Sequence, residues 1–195
     1  MKSKILSLLA SLSLTTGFAA DNEWVHDYIT NVPDFPIPGI QFKCYPELLK
    51  NPEAFHRAIQ TFADRYRDSN LDAIVGLDSR GFIFGTALAY EMNLPFVMIR
   101  KSGKLPRQVE RIEYALEYGK ASFEIEIDSI HAGDRVLVMD DLLATGGTAA
   151  AASTLIERLG GEVVEIACLI ELVGLHGREN LKRPFYSLVS IEVDE

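Results

Sequence analysis

Two adjacent carboxylates, Asp140 and Asp141, follow an apolar run over residues 136–139 and precede a short loop of small, hydroxylated and glycine residues. A run that is apolar at every position is typical of a central parallel strand that is covered on both faces. Ligands of open α/β sheets bind beyond the carboxyl ends of such strands. Because ionised carboxylates only accept hydrogen bonds, the pair suits a partner with two donors, such as the cis-diol of a ribose.

The loop after the acidic pair has the composition of a phosphate-binding turn. Glycines permit close backbone approach and positive φ, and threonines add hydroxyl donors. A helix is predicted over residues 149–159, and its free N–H groups and partial positive charge would face the loop. We therefore expect a terminal phosphate to bind there, although an ordinary helix-capping loop with solvated aspartates is the alternative. The loop residues are Ala144, Thr145, Gly146, Gly147 and Thr148.

A second strand-to-helix turn carries Asp78, Ser79 and Arg80. Peptide N–H groups at such a turn can bind an anion, and an arginine adds forked donors. Lys101 ends another predicted strand, and Lys104 begins a polar segment, so both could neutralise the charge of a leaving group. The alternatives are a capped helix start with a solvated arginine and a solvated basic turn.

The bulk composition fits one domain that handles small molecules. The chain has 195 residues, of which 48% are hydrophobic, so it can bury one good core. A formal net charge of −9 disfavours general binding to nucleic acids or anionic membranes. The two cysteines lie far apart in sequence, which favours free thiols, and no metal-ligand spacing of Cys and His occurs in the sequence.

The N-terminus has a different character. Lys2 and Lys4 precede an apolar stretch over residues 5–14 and a small-x-small pattern that ends at Ala19, as in a secretory signal peptide. The apolar stretch is too short to span a membrane comfortably. We expect a signal-peptide-like leader over residues 1–20 and a single domain over residues 21–195. A frayed or amphipathic extension, or an upstream start codon chosen in error, would explain the same residues.

Strands and helices alternate along the rest of the chain, which predicts an α/β domain centred on a parallel sheet. Helical spacing predicts helices over residues 52–66 and 81–92. A proline-rich rigid loop is predicted over residues 31–39, and a long mobile loop over residues 102–115. Buried or half-exposed strands are predicted at residues 73–77, 95–99, 123–128 (antiparallel), 163–172 and 185–193.

Taken together, the motifs resemble those of the type I phosphoribosyltransferases. The acidic pair and the glycine loop match the family's phosphoribosyl pyrophosphate motif, in the wording of its adenine-specific branch. The resemblance runs from about residue 24 to the C-terminus and implies the family's α/β fold, in which helices flank a parallel-centred sheet and a mobile hood loop covers the site. Further matching segments lie in the same order at residues 33–40, 76–85, 100–106, 116–120 and 171–179.

This resemblance implies an enzyme of purine salvage that joins adenine to 5-phosphoribosyl 1-pyrophosphate, giving AMP and pyrophosphate. The acidic pair would hold the ribose hydroxyls, the glycine loop the 5′-phosphate, and the second turn with its nearby lysines the pyrophosphate. Mg²⁺ would be held mainly on substrate oxygens. The resemblance also implies a cytoplasmic homodimer without nucleic-acid or membrane partners in the mature form, whereas residues 1–20 suggest an exported protein.

The resemblance assigns acid–base chemistry to Glu117, which lies between Tyr114 and Tyr118. The matching glutamate of the family is proposed to handle a proton on the adenine ring. Closure of the loop would desolvate this carboxyl group and raise its pKa toward a useful range. Tyr118 is taken as a neighbouring substrate-binding residue, and the alternative for Glu117 is an ordinary surface glutamate.

The segment that matches the family's base-recognition site contains Gln41, Phe42 and Lys43. Phe42 could stack on a purine while backbone groups near Gln41 and Lys43 read its edge; a phenylalanine of the core is the alternative. The family commonly has Arg-Asp where this chain has Lys43-Cys44, and positioning that depends on a guanidinium would not survive that change. A transferase for another purine and a non-catalytic protein that binds the donor therefore stay open.

Overall fold

The computed structural model describes residues 22–116 and 119–193, so the leader predicted over residues 1–20 lies outside the described residues. Among the described residues, no helix is both long enough and apolar enough to cross a bilayer. The helices are α1 (Pro46–Lys50), α2 (Pro52–Tyr66), α3 (Gly81–Met92) and α4 (Gly147–Arg158), with 3₁₀ turns at Glu23–Tyr28, Val173–Leu175 and Gly177–Asn180. The strands are β1 (Thr30–Pro33), β2 (Gln41–Cys44), β3 (Ala73–Leu77), β4 (Phe96–Lys101), β5 (Val109–Leu116), β6 (Gly119–Glu126), β7 (Arg135–Leu143), β8 (Glu162–Leu172) and β9 (Phe185–Ile191).

The main sheet has seven strands in the order β5-β6-β4-β3-β7-β8-β9. The run from β4 to β9 is parallel throughout. At the other edge, β6 pairs antiparallel with both β4 and β5. The predicted fold class is therefore confirmed, including the parallel centre and an antiparallel strand near residues 123–128.

Both faces of the central strands are covered, as the uninterrupted apolar runs predict. Successive side chains of a strand point to opposite faces. Leu137 and Met139 accordingly pack in one buried cluster with Phe84 of α3. Val138 packs in the other cluster, with Leu155 of α4. The helices therefore hold β7 rigidly between two layers, with its carboxyl end at the edge where the acidic pair was predicted.

The prediction of a loop over residues 102–115 is wrong for the second half of this segment. Residues Val109–Leu116 form β5, which pairs along its whole length with β6. Ile112 and Tyr114 pack against the core, whereas Arg111 and Glu113 are exposed. This alternation is typical of a half-buried strand. The strand was not predicted because charged residues occupy its exposed positions. Only residues 102–108 lack strand structure here.

The rigid loop predicted over residues 31–39 is wrong at its start. Residues Thr30–Pro33 form β1, which pairs antiparallel with β2 in a separate two-stranded sheet. Pro33 stands at the end of this edge strand, where the absence of an N–H donor is tolerated. The connection that follows contains a cis peptide bond between Phe35 and Pro36. The hairpin brings the predicted base-recognition segment onto one strand, β2.

Candidate active site

The acidic pair lies within β7, which runs on to Leu143 rather than ending at Met139. Asp141 is only 5% exposed, and Asp140 is half-buried. The Asp141 backbone N–H donates a hydrogen bond to Asp140 Oδ1 at 2.9 Å. Burial, and after it the charge of Asp141, raises the pKa of Asp140 well above its usual range. Two crowded carboxyl groups near the carboxyl end of a strand favour a ligand that brings donors to them.

Asp141 is held by two protein donors that both address its Oδ2 atom. The Tyr45 hydroxyl donates to this oxygen at 2.9 Å. The Arg80 Nε atom forms an ion pair with it at 3.0 Å. The Arg80 guanidinium also lies over the rings of Phe42, at 5.3 Å, and Tyr45, at 5.8 Å. The structure therefore places Arg80, which was predicted to bind pyrophosphate, on the acidic pair and beside the predicted purine platform.

The glycine loop turns directly into α4, as predicted. Gly146 has φ +82°, and its carbonyl oxygen accepts the first helical hydrogen bond, from the Ala150 N–H at 3.0 Å. A β-carbon at Gly146 would lie closer than 3.0 Å to the Gly177 carbonyl oxygen, so the loop is in direct backbone contact with the 3₁₀ turn Gly177–Asn180. The Asn180 amide also donates to the Thr145 carbonyl at 2.8 Å. This underlying turn was not assigned a role from the sequence.

Tyr114 of β5 reaches the same loop. Burial raises the pKa of the Tyr114 hydroxyl, a hydrogen bond from the Thr148 side chain lowers it, and the charge of Asp140 raises it. The Tyr114 ring packs against the Phe123 ring with centroids 5.1 Å apart. The hairpin β5–β6 thus brings a phenolic hydroxyl to Thr148 of the glycine loop and within the electrostatic influence of Asp140, a placement that the sequence pattern could not indicate.

The turn at Asp78 meets the basic segment at the end of β4. The Asp78 side chain is 4% exposed, and its Oδ2 atom lies 3.2 Å from Arg100 Nε and 3.9 Å from Lys104 Nζ. The Lys101 backbone N–H also donates to it, at 3.4 Å. The peptide bond between Asp78 and Ser79 is cis. The structure therefore brings Arg100, Lys101 and Lys104 to Asp78, with Arg100 as the most closely paired cation, whereas Arg80 pairs with Asp141 instead.

A buried carboxylate, Glu124 of β6, fixes the turn that carries these cations. The Ser102 hydroxyl donates to it at 2.6 Å and the Gly103 N–H at 2.8 Å, and Arg111 forms an ion pair with it. The hydrogen bond from Ser102 is the main reason why the pKa of Glu124 lies below its ordinary value. Sequence reasoning missed Glu124, because its alternation with apolar residues placed it on the solvent side of the strand.

The base-recognition segment shows two different environments. Gln41 and Lys43 bond across the hairpin to Asn31, with an Asn31–Gln41 side-chain distance of 2.6 Å and a Lys43–Asn31 distance of 3.0 Å. Phe42 lies between them, with the Phe35 ring edge-on at 5.2 Å and the Arg80 guanidinium over its face. Of these three residues, only Phe42 contacts Arg80, the residue that pairs with Asp141.

Two candidates, Glu117 and Tyr118, lie outside the described residues. The strands on either side of them are continuous, since β5 ends at Leu116 and β6 begins opposite it at Gly119.

The fold and the geometry define a class of protein: an α/β protein with an acidic pair and a glycine loop at the carboxyl ends of its parallel strands. A family model described as "phosphoribosyl transferase domain" matches residues 45–195. The adenine phosphoribosyltransferase of Chloroflexus aurantiacus is 54% identical over 162 residues, which cover 83% of this chain and 94% of that relative. Adenine phosphoribosyltransferase 4 of Arabidopsis thaliana is 49% identical over 159 residues, 81% of this chain and 87% of that relative.

Solved structures give the same result. The adenine phosphoribosyltransferase of Rhodothermus marinus superposes with a TM-score of 0.83 at 46% identity, over 87% of this chain and 98% of the other. The Saccharomyces cerevisiae enzyme, solved with an imino-altritol bisphosphate and adenine, has a TM-score of 0.83 at 38% identity, over 86% and 98% of the two chains. The chain therefore belongs to the phosphoribosyltransferase family and, within it, to the adenine phosphoribosyltransferases.

Proposed function

We propose that this protein carries out a purine-salvage reaction, in which adenine and 5-phosphoribosyl 1-pyrophosphate give AMP and pyrophosphate. The observation that carries the proposal is the acidic pair near the carboxyl end of β7, followed two residues later by the loop of residues 144–148 at the N-terminus of α4. Relatives of about half identical sequence are adenine phosphoribosyltransferases, and the Saccharomyces cerevisiae relative was solved with adenine.

In this reaction, adenine N9 forms a bond to the anomeric carbon while the bond from that carbon to the pyrophosphate oxygen breaks. Both developing charges need stabilisation, and no covalent protein nucleophile is required. Asp140 and Asp141 accept hydrogen bonds from the ribose hydroxyls and favour the positive charge that develops on the sugar. Residues 144–148 anchor the 5′-phosphate through the free N–H groups of α4.

The position of Arg80 supports the proposal that this side chain moves from Asp141 to the pyrophosphate when the donor binds. Its side chain is 41% exposed, and its guanidinium pairs with Asp141. A donor brings hydroxyls that can replace this ion pair and a pyrophosphate that attracts the released arginine. We propose that Arg80 then joins the backbone at Asp78 and Ser79, with Lys101 and Lys104, around the pyrophosphate.

Mg²⁺ is proposed as the cofactor. Within residues 22–116 and 119–193, no group of three or more His, Cys, Asp or Glu side chains is arranged to hold a metal ion. We propose that the cation would be carried on the oxygens of the donor, where it would neutralise the charge of the departing pyrophosphate. A chelator in excess should stop AMP formation and added Mg²⁺ should restore it, whereas full activity in the chelator would contradict the proposal.

We further propose Glu117 as the group that handles a proton of the adenine ring, with Tyr118 beside it. Replacement of Glu117 by leucine should lower kcat with little change in donor affinity, because the residue would act on the base rather than on the ribose phosphate. A variant that turns over at the normal rate would remove this role.

The decisive experiment mixes purified protein, adenine, 5-phosphoribosyl 1-pyrophosphate and Mg²⁺ and quantifies AMP by chromatography. Hypoxanthine and guanine, added separately and in competition, test the alternative purines, which Lys43-Cys44 leaves open. AMP formation that the other bases do not suppress supports the proposal. A preference for another base would change the assigned substrate, and donor binding without any product would indicate a non-catalytic protein.

We propose a homodimer located in the cytoplasm, with export as the alternative. Light scattering coupled to gel filtration tests the first part. Mass spectrometry of the N-terminus of protein from its native cells tests the second: Met1 retained supports the cytoplasm, whereas Ala20 or Asp21 as the first residue supports export.

A further inference from the structure

Tyr45 is a buried tyrosine that connects β2 to the acidic pair. It lies between β2 and α1 and is 4% exposed. Its ring packs against the Phe84 ring of α3 with centroids 5.6 Å apart. Its hydroxyl donates to Asp141 Oδ2 at 2.9 Å, and the two residues are 96 positions apart in the chain. The fold therefore brings one neutral donor to the more buried aspartate of the pair.

The two donors to Asp141 differ in how firmly they are held. The Tyr45 ring is enclosed by the core, whereas the Arg80 side chain is 41% exposed and rests on aromatic faces. Burial, and then the charge of Asp141, raises the pKa of Tyr45, so its hydroxyl keeps its proton and stays a donor. When Arg80 moves to an anion, the Tyr45 hydrogen bond is the one that remains.

The geometry also assigns the two oxygens of Asp141 different tasks. Tyr45 and Arg80 both bind Oδ2 of this carboxylate, and the neighbouring Asp140 carboxyl group also contacts the Asp141 side chain. Neither Tyr45 nor Arg80 occupies the second oxygen, Oδ1, so a ligand hydroxyl can donate to it. A buried carboxylate that lost its fixed donor would be costly and would turn toward other partners.

We propose that Tyr45 is a positioning residue for recognition of the ribose. Its hydroxyl holds Asp141 Oδ2 so that Oδ1 meets a hydroxyl of the phosphoribosyl donor, whether Arg80 is paired with Asp141 or has moved to the pyrophosphate. This inference rests on the proposed function and adds to it a residue outside the motifs for ribose, phosphate and pyrophosphate.

The chain contains a matched control. Tyr66 of α2 is 2% exposed and donates to Glu165 Oε2 at 2.6 Å. Arg65 binds the same carboxylate through Nε at 2.9 Å and Nη2 at 2.8 Å. Glu165 lies three positions before Cys168, the β8 partner of Asp140, which puts it about 10 Å away along the sheet. Tyr66→Phe therefore removes an equivalent buried hydrogen bond away from the donor site.

The experiment compares Tyr45→Phe and Tyr66→Phe in the full chain. Phenylalanine keeps each ring in place, so thermal melting should show similar and modest losses of stability. Calorimetry with 5-phosphoribosyl 1-pyrophosphate and Mg²⁺, without adenine, should give a Kd about tenfold higher for Y45F, which corresponds to about 1.4 kcal/mol, and an unchanged Kd for Y66F. Steady-state rates should show a raised KM for the donor and an unchanged KM for adenine in Y45F.

A double-mutant cycle shows whether Tyr45 acts through Asp141. In an Asp141→Asn background, Y45F should have little further effect on donor binding, because the carboxylate it positions is absent. Donor Kd and KM within about twofold of the wild type in Y45F would overturn the inference. Equal weakening of donor and adenine binding in both tyrosine variants would overturn it as well, since that pattern indicates general support of the fold.

Failure of the proposed function would look different. A wild-type protein that binds the donor but forms no AMP would refute the catalytic proposal, while donor binding by Y45F would still decide the role of Tyr45. A wild-type protein that does not bind the donor would overturn both.

Discussion

Replacement of Gly146 by alanine should show whether phosphate binding by the glycine loop depends on the backbone conformation at residue 146. Gly146 has φ +82°, a conformation that costs an alanine about 1–2 kcal/mol. The new β-carbon would also lie closer than 3.0 Å to the Gly177 carbonyl oxygen, a backbone atom that cannot rotate away. Either the loop or the turn Gly177–Asn180 must then move, and with it the N–H groups that we expect to hold the 5′-phosphate.

Gly133 offers the matched control for this change. Its φ is +90°, and a β-carbon there would meet nothing within 4 Å. Gly133→Ala should therefore carry only the conformational penalty, and for a chain of this size each 1 kcal/mol lowers Tm by about 2–4 °C. Gly146→Ala should lose more than this and should also raise the Kd of 5-phosphoribosyl 1-pyrophosphate by about tenfold or more, or about 1.4 kcal/mol.

The assay combines thermal melting of both variants with calorimetric titration of the donor in Mg²⁺. Tenfold weaker binding in G146A alone would show that the contact with Gly177 shapes the phosphate site. The reasoning would be refuted by a G146A variant with the Tm of G133A and the donor Kd of the wild type, since the loop would then have absorbed the β-carbon without moving its N–H groups.

Two charged groups give further predictions. Asp140→Asn keeps an acceptor for the Asp141 N–H but removes a charge that burial and the charge of Asp141 disfavour. The Tm at pH 7 should therefore rise, while the rate of AMP formation falls. A variant with an unchanged Tm or a normal rate would contradict this account. The charge of Glu124 has the opposite effect on stability, because folding lowers the pKa of this carboxyl group. Its charged form therefore stabilises the protein above the unfolded pKa of about 4.3, and this contribution is lost as the pH falls through the folded pKa. Glu124→Gln should thus be less stable than the wild type at pH 7, and urea unfolding should show the gap narrowing on acidification; a gap that is independent of pH would argue against the assignment.

The elements that sequence analysis located best are those whose signal is local. The strand β3 and the helix α3 have the predicted bounds, because an apolar run and the glycine and polar residues around it are contained in one short segment. The hairpin strand β5 was missed because its core-facing residues alternate with arginine and glutamate, and only the pairing with β6 shows that one face is buried.

The same distinction applies to the site. Parallel topology alone predicts that the ends of β3, β4 and β7 meet at one edge, which is enough to gather Asp78, Arg100 and Asp141. It does not predict which side chains touch. The contacts of Asp141 with Tyr45 and Arg80 depend on how α3 and the segment after β2 pack on the sheet, and the support of the Gly146 loop depends on a turn that follows β8.

The position of Arg80 predicts the order in which the substrates bind. Its guanidinium pairs with Asp141 and lies 5.3 Å above the Phe42 ring, the surface on which we expect the purine to stack. The phosphoribosyl donor supplies hydroxyls for Asp141 and an anion for Arg80, whereas adenine supplies neither, so only the donor draws Arg80 away from Phe42. Adenine should therefore bind weakly alone and at least about tenfold more tightly with ribose 5-phosphate and pyrophosphate present, and by linkage those ligands should bind more tightly with adenine. Calorimetric titration of adenine with and without them measures this coupling. Equal adenine affinity in the two titrations would mean that Arg80 does not obstruct the platform, and the proposed movement of Arg80 would then have no role in assembling the site.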